Sequence, residues 1–251
     1  MADAPDPYLY PEVAAAGDLA TLLQTEFDAA HAPLRAQRPA SPGWARVSAE
    51  THAADRSASV VMAMHERAFL LQFWMRGVQM AQGSATGIAD AAAATWMFLS
   101  GAPVRRLASV WPFVTFSGFA EAFERGESAA IAYRWQEYLD ISSTRSLHLL
   151  DLHAFLTAAA AEPRLRALFP FTSHIDLGFR RSIGDPRDSA LAWVRPHGEG
   201  RYLVTGPDRD RLGKPGPIRR PDLGPVSGAL GPADPVATVA LVLMAMTNSR
   251  G

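Results

Sequence analysis

Phe69-Leu70-Leu71-Gln72-Phe73-Trp74-Met75-Arg76-Gly77-Val78-Gln79-Met80 is the stretch that decides the fold class. Phe69, Leu71, Phe73 and Met75 fall on one parity; Leu70, Gln72 and Trp74 fall on the other. A period of two with large apolar residues on one parity is the pattern of a strand that buries one face. Arg76-Gly77 reverses the chain, and Val78 to Gln82 reads as the returning strand of a hairpin. Trp74 shares its parity with Gln72, so it is expected to line a half-open surface or groove. The other tryptophans, at core-like spacing, read either as packing or as the lining of an apolar pocket.

The same patterning extends upstream. Ala45 to Thr51 and Ala58 to Met64 read as two more strands, turned at Ala54-Asp55-Arg56-Ser57 and at His65-Glu66. Connections this short imply antiparallel pairing. Before them, Asp18 is placed to cap a helix that carries Leu19, Leu22, Leu23 and Phe27 along one face. After them, Ser84 or Thr86 is placed to cap a helix bearing Ile88, Ala91, Ala92, Thr95 and Leu99, which Gly101 stops. Helices follow through Asp140, broken at Pro112 and Gly126. Leu147 to Ala161 is a strongly apolar helix, and Pro163 opens a short one through Leu168.

Strands return at Ile175 to Arg181, Ala190 to Val194 and Tyr202 to Thr205. Gly206 to Pro235 holds 13 Gly or Pro in 30 residues and reads as a long surface loop, after which Asp234-Pro235 starts a last helix. The order predicts an α+β fold, with antiparallel hairpin strands in two blocks separated by a helical segment. The expectation is a single α+β domain over residues 1–251, with halves of about 18–116 and 117–251. Arg106-Leu107-x-x-x-Trp111-Pro112-Phe113 aligns with Arg164-Leu165-x-x-x-Phe169-Pro170-Phe171 without a gap. The match reads either as a degenerate internal duplication or as a helix-stop device used twice.

Composition narrows the function classes. The chain has 251 residues, 48% hydrophobic and 20% charged, with a net charge of −1. There is no overall field to draw in nucleic acid or an anionic membrane. The arginines of the 206–235 segment are offset by Asp208, Asp210 and Asp222 and lack interleaved aromatics. With no cysteine, disulfides, thiol nucleophiles and thiolate metal sites are excluded. The N-terminus lacks a signal-peptide pattern. No apolar run approaches the roughly 20 residues of a membrane helix. A cytoplasmic location is expected. Lys214 is the single lysine among many arginines, which suggests a GC-rich bacterial genome.

The segment Glu162-Pro163-Arg164-Leu165-Arg166-Ala167-Leu168-Phe169-Pro170-Phe171-Thr172-Ser173-His174, followed by Leu177-Gly178-Phe179-Arg180, resembles the signature of a bacterial family. That family is the domain of unknown function 6193, labelled as natural-product biosynthesis proteins. Phe73 to Gly77, Trp96 and Trp111 to Val114 are similar too, so the resemblance spans roughly Trp44 to Tyr202. It implies a place in specialised metabolism and names no reaction, cofactor or catalytic residue.

Thr172-Ser173-His174 with Asp176 is the best polar constellation. One reading makes His174 a general base oriented by Asp176, on one face if Ile175 begins the strand. The other makes the cluster a turn at a helix-to-strand corner. Arg180 shares the parity of His174 and is placed to clamp an anion, with Thr172 and Trp74 as further substrate-binding candidates. His148 and His153 are five apart, about 140° around a helix, which is not metal-ligand spacing. No metal and no cofactor are expected. Two functional classes follow. One is a cofactor-independent acid–base enzyme acting on a small organic intermediate; the other is an accessory protein that binds a partner protein of the same pathway. Self-protection by sequestering a product is a third.

Overall fold

The computed structural model describes residues 6–140, 147–184, 190–206, 217–220, 224–227 and 230–248. The fold is α+β. It divides into two compact units, Met1–Glu124 and Arg125–Gly251.

The first unit is a six-stranded antiparallel meander. Its strands are β1 (Ala36–Gln37), β2 (Ser48–Ala53), β3 (Arg56–Met62), β4 (Phe69–Met75), β5 (Val78–Ala85) and β6 (Val114–Phe116), paired in sequence order. Its helices are α1 (Pro11–Ala16), α2 (Leu19–Ala29), α3 (Ile88–Leu99), α4 (Val104–Val110) and α5 (Gly118–Glu124). The quoted hairpin forms as read. Met75 pairs with Val78, and Arg76 and Gly77 close the turn at φ of 49° and 76°. Two successive positive φ values match the right-handed twist of a strand pair, and glycine adopts one without cost. Phe69, Leu71, Phe73 and Met75 are buried, as are Ala58, Val60 and Met62 opposite them.

Helices cover that face. Phe98 of α3 lies 5.0 Å from the Phe73 ring. The Arg56 guanidinium donates to the Phe98 and Ala102 carbonyls at 2.9 and 2.8 Å, closing the end of α3 against the sheet. The β3–β4 connection is wider than the His65-Glu66 turn expected. The buried Tyr10 hydroxyl accepts from Ala68 N–H at 3.0 Å and lies 2.9 Å from the Ala63, Glu66 and Ala68 carbonyls, so the loop wraps around a phenol. β5 runs on to Ala85, which pairs with Phe69, so Gly87 rather than Ser84 or Thr86 precedes α3.

In the second unit, α6 (Glu127–Leu139), α7 (Leu147–Ala160), α8 (Pro163–Arg166) and α9 (Pro235–Asn248) accompany β7 (Phe169–Ser173), β8 (Asp176–Arg180), β9 (Ala192–Pro196) and β10 (Tyr202–Thr205). The stretch read as a loop carries β11 (Pro217–Arg220), β12 (Gly224–Ser227) and β13 (Leu230–Ala233). β13 pairs with β10, giving a five-stranded antiparallel sheet in the order β13-β10-β9-β8-β7; β11 and β12 pair with each other. The rest of 206–235 apart from Gly206, Asp234 and Pro235 lies outside the described residues. Leu177, Phe179, Ala192, Val194, Tyr202 and Val204 form the buried face. Trp135 of α6 and Phe155 of α7 pack on Phe179, with ring centroids 6.1 and 6.3 Å away. Among the described residues no helix is long and apolar enough to cross a membrane.

Asp18 tests the first unit. Its carboxylate accepts from Thr21 N–H at 2.8 Å, capping α2, and pairs with Arg38. Burial raises its pKa, but the Thr21 N–H and the Arg38 guanidinium lower it further, to a net position below the ordinary carboxylate value. Glu12 is held low by Arg67. A lowered folded pKa supplies stability above the unfolded value, which is lost as pH falls through the folded one. Thermal melts should therefore be flat near neutrality and drop below about pH 4. Asp18→Ala should cost about 1 kcal/mol at pH 7 and flatten part of the acid drop. An unchanged acid limb would remove this assignment.

Candidate functional site

The Glu162–Arg180 segment builds a short helix followed by a hairpin. The Glu162 side chain accepts from Arg164 N–H at 3.0 Å and Pro163 fills the first helical position, so α8 starts there. Phe169 to Ser173 then forms β7, a strand where a corner was expected. Pro170 is compatible because β7 is an edge strand, where a missing N–H breaks no ladder. The Arg106 copy of the motif also leads a short helix, α4, into an edge strand, β6.

His174 and Ile175 are the two-residue turn of the β7–β8 hairpin, between the paired Ser173 and Asp176. His174 is exposed, at φ of 56°. Histidine is among the side chains that tolerate this left-handed region. The strand begins at Asp176, not Ile175, so His174 does not share a strand face with Asp176. Its Nδ1 lies 3.5 Å from the Ser173 hydroxyl.

Asp176 and Arg180 share the face of β8 opposite Phe179, with Gly178 between them. Asp176 is 3% exposed. Both its oxygens are engaged by Arg195 of β9, Nε to Oδ1 at 2.7 Å and Nη2 to Oδ2 at 2.9 Å. This planar fork is the strongest geometry available to a carboxylate–arginine pair. The hydrogen bond to Asp176 raises the Arg195 pKa.

Arg180 places its guanidinium carbon 4.1 Å from the centre of the Phe171 ring. Its Nε is buried and has no hydrogen-bond partner among the described residues. Phe171 meets Trp193 edge-on at 5.2 Å and stacks on Phe169 at 6.5 Å. Gly178 permits this closure. A Cβ there would stand 2.7 Å from Phe171 Cζ and 3.0 Å from Trp193 Cζ3. Thr172 pairs with Leu177 and so lies on the helix-covered side, away from Asp176 and Arg180. Trp74 belongs to the first unit.

The structure thus brings together two of the residues singled out in the sequence, Asp176 and Arg180, and adds Phe171, Gly178, Trp193 and Arg195. Arg195 was legible in principle, since it has the parity of Trp193 on the strand that pairs with β8. His153 Nε2 lies 3.4 Å from the Leu139 carbonyl; the His148 side chain lies outside the described residues. Among the described residues no group of three His, Asp or Glu side chains is placed to hold a metal ion.

Gly178→Ala should destabilise the fold by about 1–3 kcal/mol, because the aromatic pair has to part. Chemical denaturation measures this, and a loss of under about 0.5 kcal/mol, the range of neutral surface changes, would mean that the rings are not locked.

No curated protein and no solved structure matches the chain. Phe73 to Val114, which also looked familiar, falls outside the segment that a known family matches. Residues 129–217, holding α8, the β7–β8 hairpin and the Asp176–Arg195 pair, match the Family of unknown function (DUF6193), the family that the Glu162–His174 signature resembles.

Proposed function

We propose that the protein is a non-catalytic accessory protein of bacterial specialised-metabolite biosynthesis. It acts in the cytoplasm and docks a partner protein of the same pathway through the outer face of its six-stranded sheet. One observation carries this reading. Gln37, Glu50, Ser59, Gln72, Gln82 and Thr115 lie in register across all six strands. They form a continuous polar row on the side opposite the buried Phe69–Met75 face. In the next row, His52 and Ser57 stand beside Trp74, and Gln79 lies on its other side. Leu70, 43% exposed, stands at the other end of β4.

This face combines a half-exposed tryptophan anchor with neutral hydrogen-bonding groups, a composition that suits a protein partner. Strands of two, six, seven, seven, eight and three residues, at about 3.3 Å per residue and about 4.8 Å apart, give roughly 500 Å². That is below the roughly 800 Å² per partner of a standard stable interface, so the docking is transient. Because the row is mostly uncharged, association should depend little on salt.

The acid–base alternative has less support. The carboxylate nearest His174 in sequence is committed to Arg195, and His174 occupies a turn whose conformation accounts for it. His174→Gly tests this directly, since glycine suits the positive φ while the imidazole is removed. In the producing cell, His174→Gly should leave the metabolite profile unchanged, whereas Trp74→Arg should lower the final product with the protein still folded. An unprocessed intermediate accumulating in His174→Gly would restore the enzyme reading. An unchanged profile in Trp74→Arg would end the docking one.

A further inference from the structure

The second unit has a cleft whose chemistry differs from that of either sheet face. Arg164 of α8, Leu168 just after it, Arg181 just past β8, Leu191 just before β9, and Met246 and Thr247 in the last turn of α9 enclose about 330 Å³. Leu168 and Leu191 are buried and Met246 is half-buried; Arg164 and Arg181 are exposed at the mouth. The floor is therefore apolar and the rim cationic. Among the described residues no acidic side chain lines the space. Glu162, two residues before Arg164, accepts from the Arg164 backbone N–H.

The two cations stand apart from other arginines of the unit. Arg166 lies over Trp135, Arg180 lies over Phe171, Arg195 pairs with Asp176 and Arg201 with Glu199. Arg164 and Arg181 have no carboxylate or ring partner among the described residues. The C-terminal end of α9 favours a nearby cation. A cation serving that end would donate to its last carbonyls, and neither guanidinium does so among the described residues. Two guanidiniums held at one mouth over leucine and methionine repel each other until an anion lies between them.

We infer that this cleft binds a small amphipathic organic anion. The head group, a carboxylate or a sulfate or phosphate monoester, lies between Arg164 and Arg181. The apolar body rests on Leu168, Leu191 and Met246. The volume is at the low end of the roughly 300–1,000 Å³ of small-molecule sites, which restricts the body to a short chain or a single ring system. The inference goes beyond the docking reading and uses neither Trp74 nor the six-stranded sheet.

Calorimetric titration of the full chain at fixed ionic strength tests it, with octanoate, octyl sulfate, octanol and inorganic sulfate as probes. Octanoate and octyl sulfate should bind. Octanol and inorganic sulfate should bind at least about tenfold more weakly than octyl sulfate, because each supplies half of the recognition. Arg164→Gln and Arg181→Gln should each weaken octanoate binding about tenfold, with melting temperature unchanged because both side chains are exposed. The Met246 methyl resonance, assigned through Met246→Leu, should shift on octanoate addition. The proposal is overturned if neither anion binds at millimolar concentration. It is equally overturned if the double glutamine variant keeps the wild-type octanoate affinity, or if the Met246 methyl does not move. Binding that survives in Trp74→Arg separates this site from the docking face.

Discussion

Strand register is the constraint on which both units depend. Side chains on a strand alternate, so a slip of one residue would carry every buried residue to the outside. In the first unit the two-residue turn at Arg76-Gly77 fixes that register, and Phe69, Leu71, Phe73 and Met75 go inward together. In the second, the His174-Ile175 turn fixes Leu177 and Phe179 beneath α6 and α7. Each turn has a residue at positive φ, and in neither case is the first one glycine. Arg76 and His174 therefore hold a mildly unfavourable conformation that the ladders on either side impose. That gives His174 a structural reason to be where it is, before any chemistry is asked of it.

The same alternation sorts the polar residues. Asp176 and Arg180 face away from the helices, and there each finds a partner of a different kind. The buried Asp176 carboxylate is spent on the exposed Arg195 in a bidentate pair. An acid held in that way has both oxygens engaged by one guanidinium rather than turned towards His174. Arg180 is laid on Phe171, where its charge is met by a ring face. The Phe171–Gly178–Trp193 closure explains why the strand has glycine at a position where a larger residue would ordinarily strengthen a sheet. The signature of this segment thus reads largely as architecture: a cap, a short helix, an edge strand, a tight turn and an ion pair.

The sequence was most legible where periodicity and capping act locally. The alternation of β4, the Asp18 cap and the Asp234-Pro235 helix start all form as read, with Asp234 accepting from Val236 and Ala237 N–H at 2.9 Å. β7 was hidden because Pro170 argues against a strand, and only the position at a sheet edge, a tertiary fact, removes the objection. β11, β12 and β13 were hidden because Gly and Pro leave no alternation to read. Asp176 and Arg180 were legible as a pair by parity, but their partners come from neighbouring strands, and no spacing rule within one segment finds Arg195. Arg164 and Arg181 lie 17 positions apart in the sequence and converge only because α8 and the end of β8 meet beside α9.

The two units also present opposite kinds of recognition chemistry. The outer face of the first is open, broad and close to neutral, with amides and hydroxyls in rows and a single indole. Such a surface gains by many weak contacts and discriminates by shape. The cleft of the second is small, concave and positive over an apolar floor. A site of that kind gains by a few strong contacts and discriminates by charge. The first suits a macromolecule that must be released, the second a small molecule that must be held. On the proposed docking reading, such a chain would need no catalytic residue to serve a pathway, because tethering a bound anion and a docked protein to one chain raises the effective concentration of each for the other.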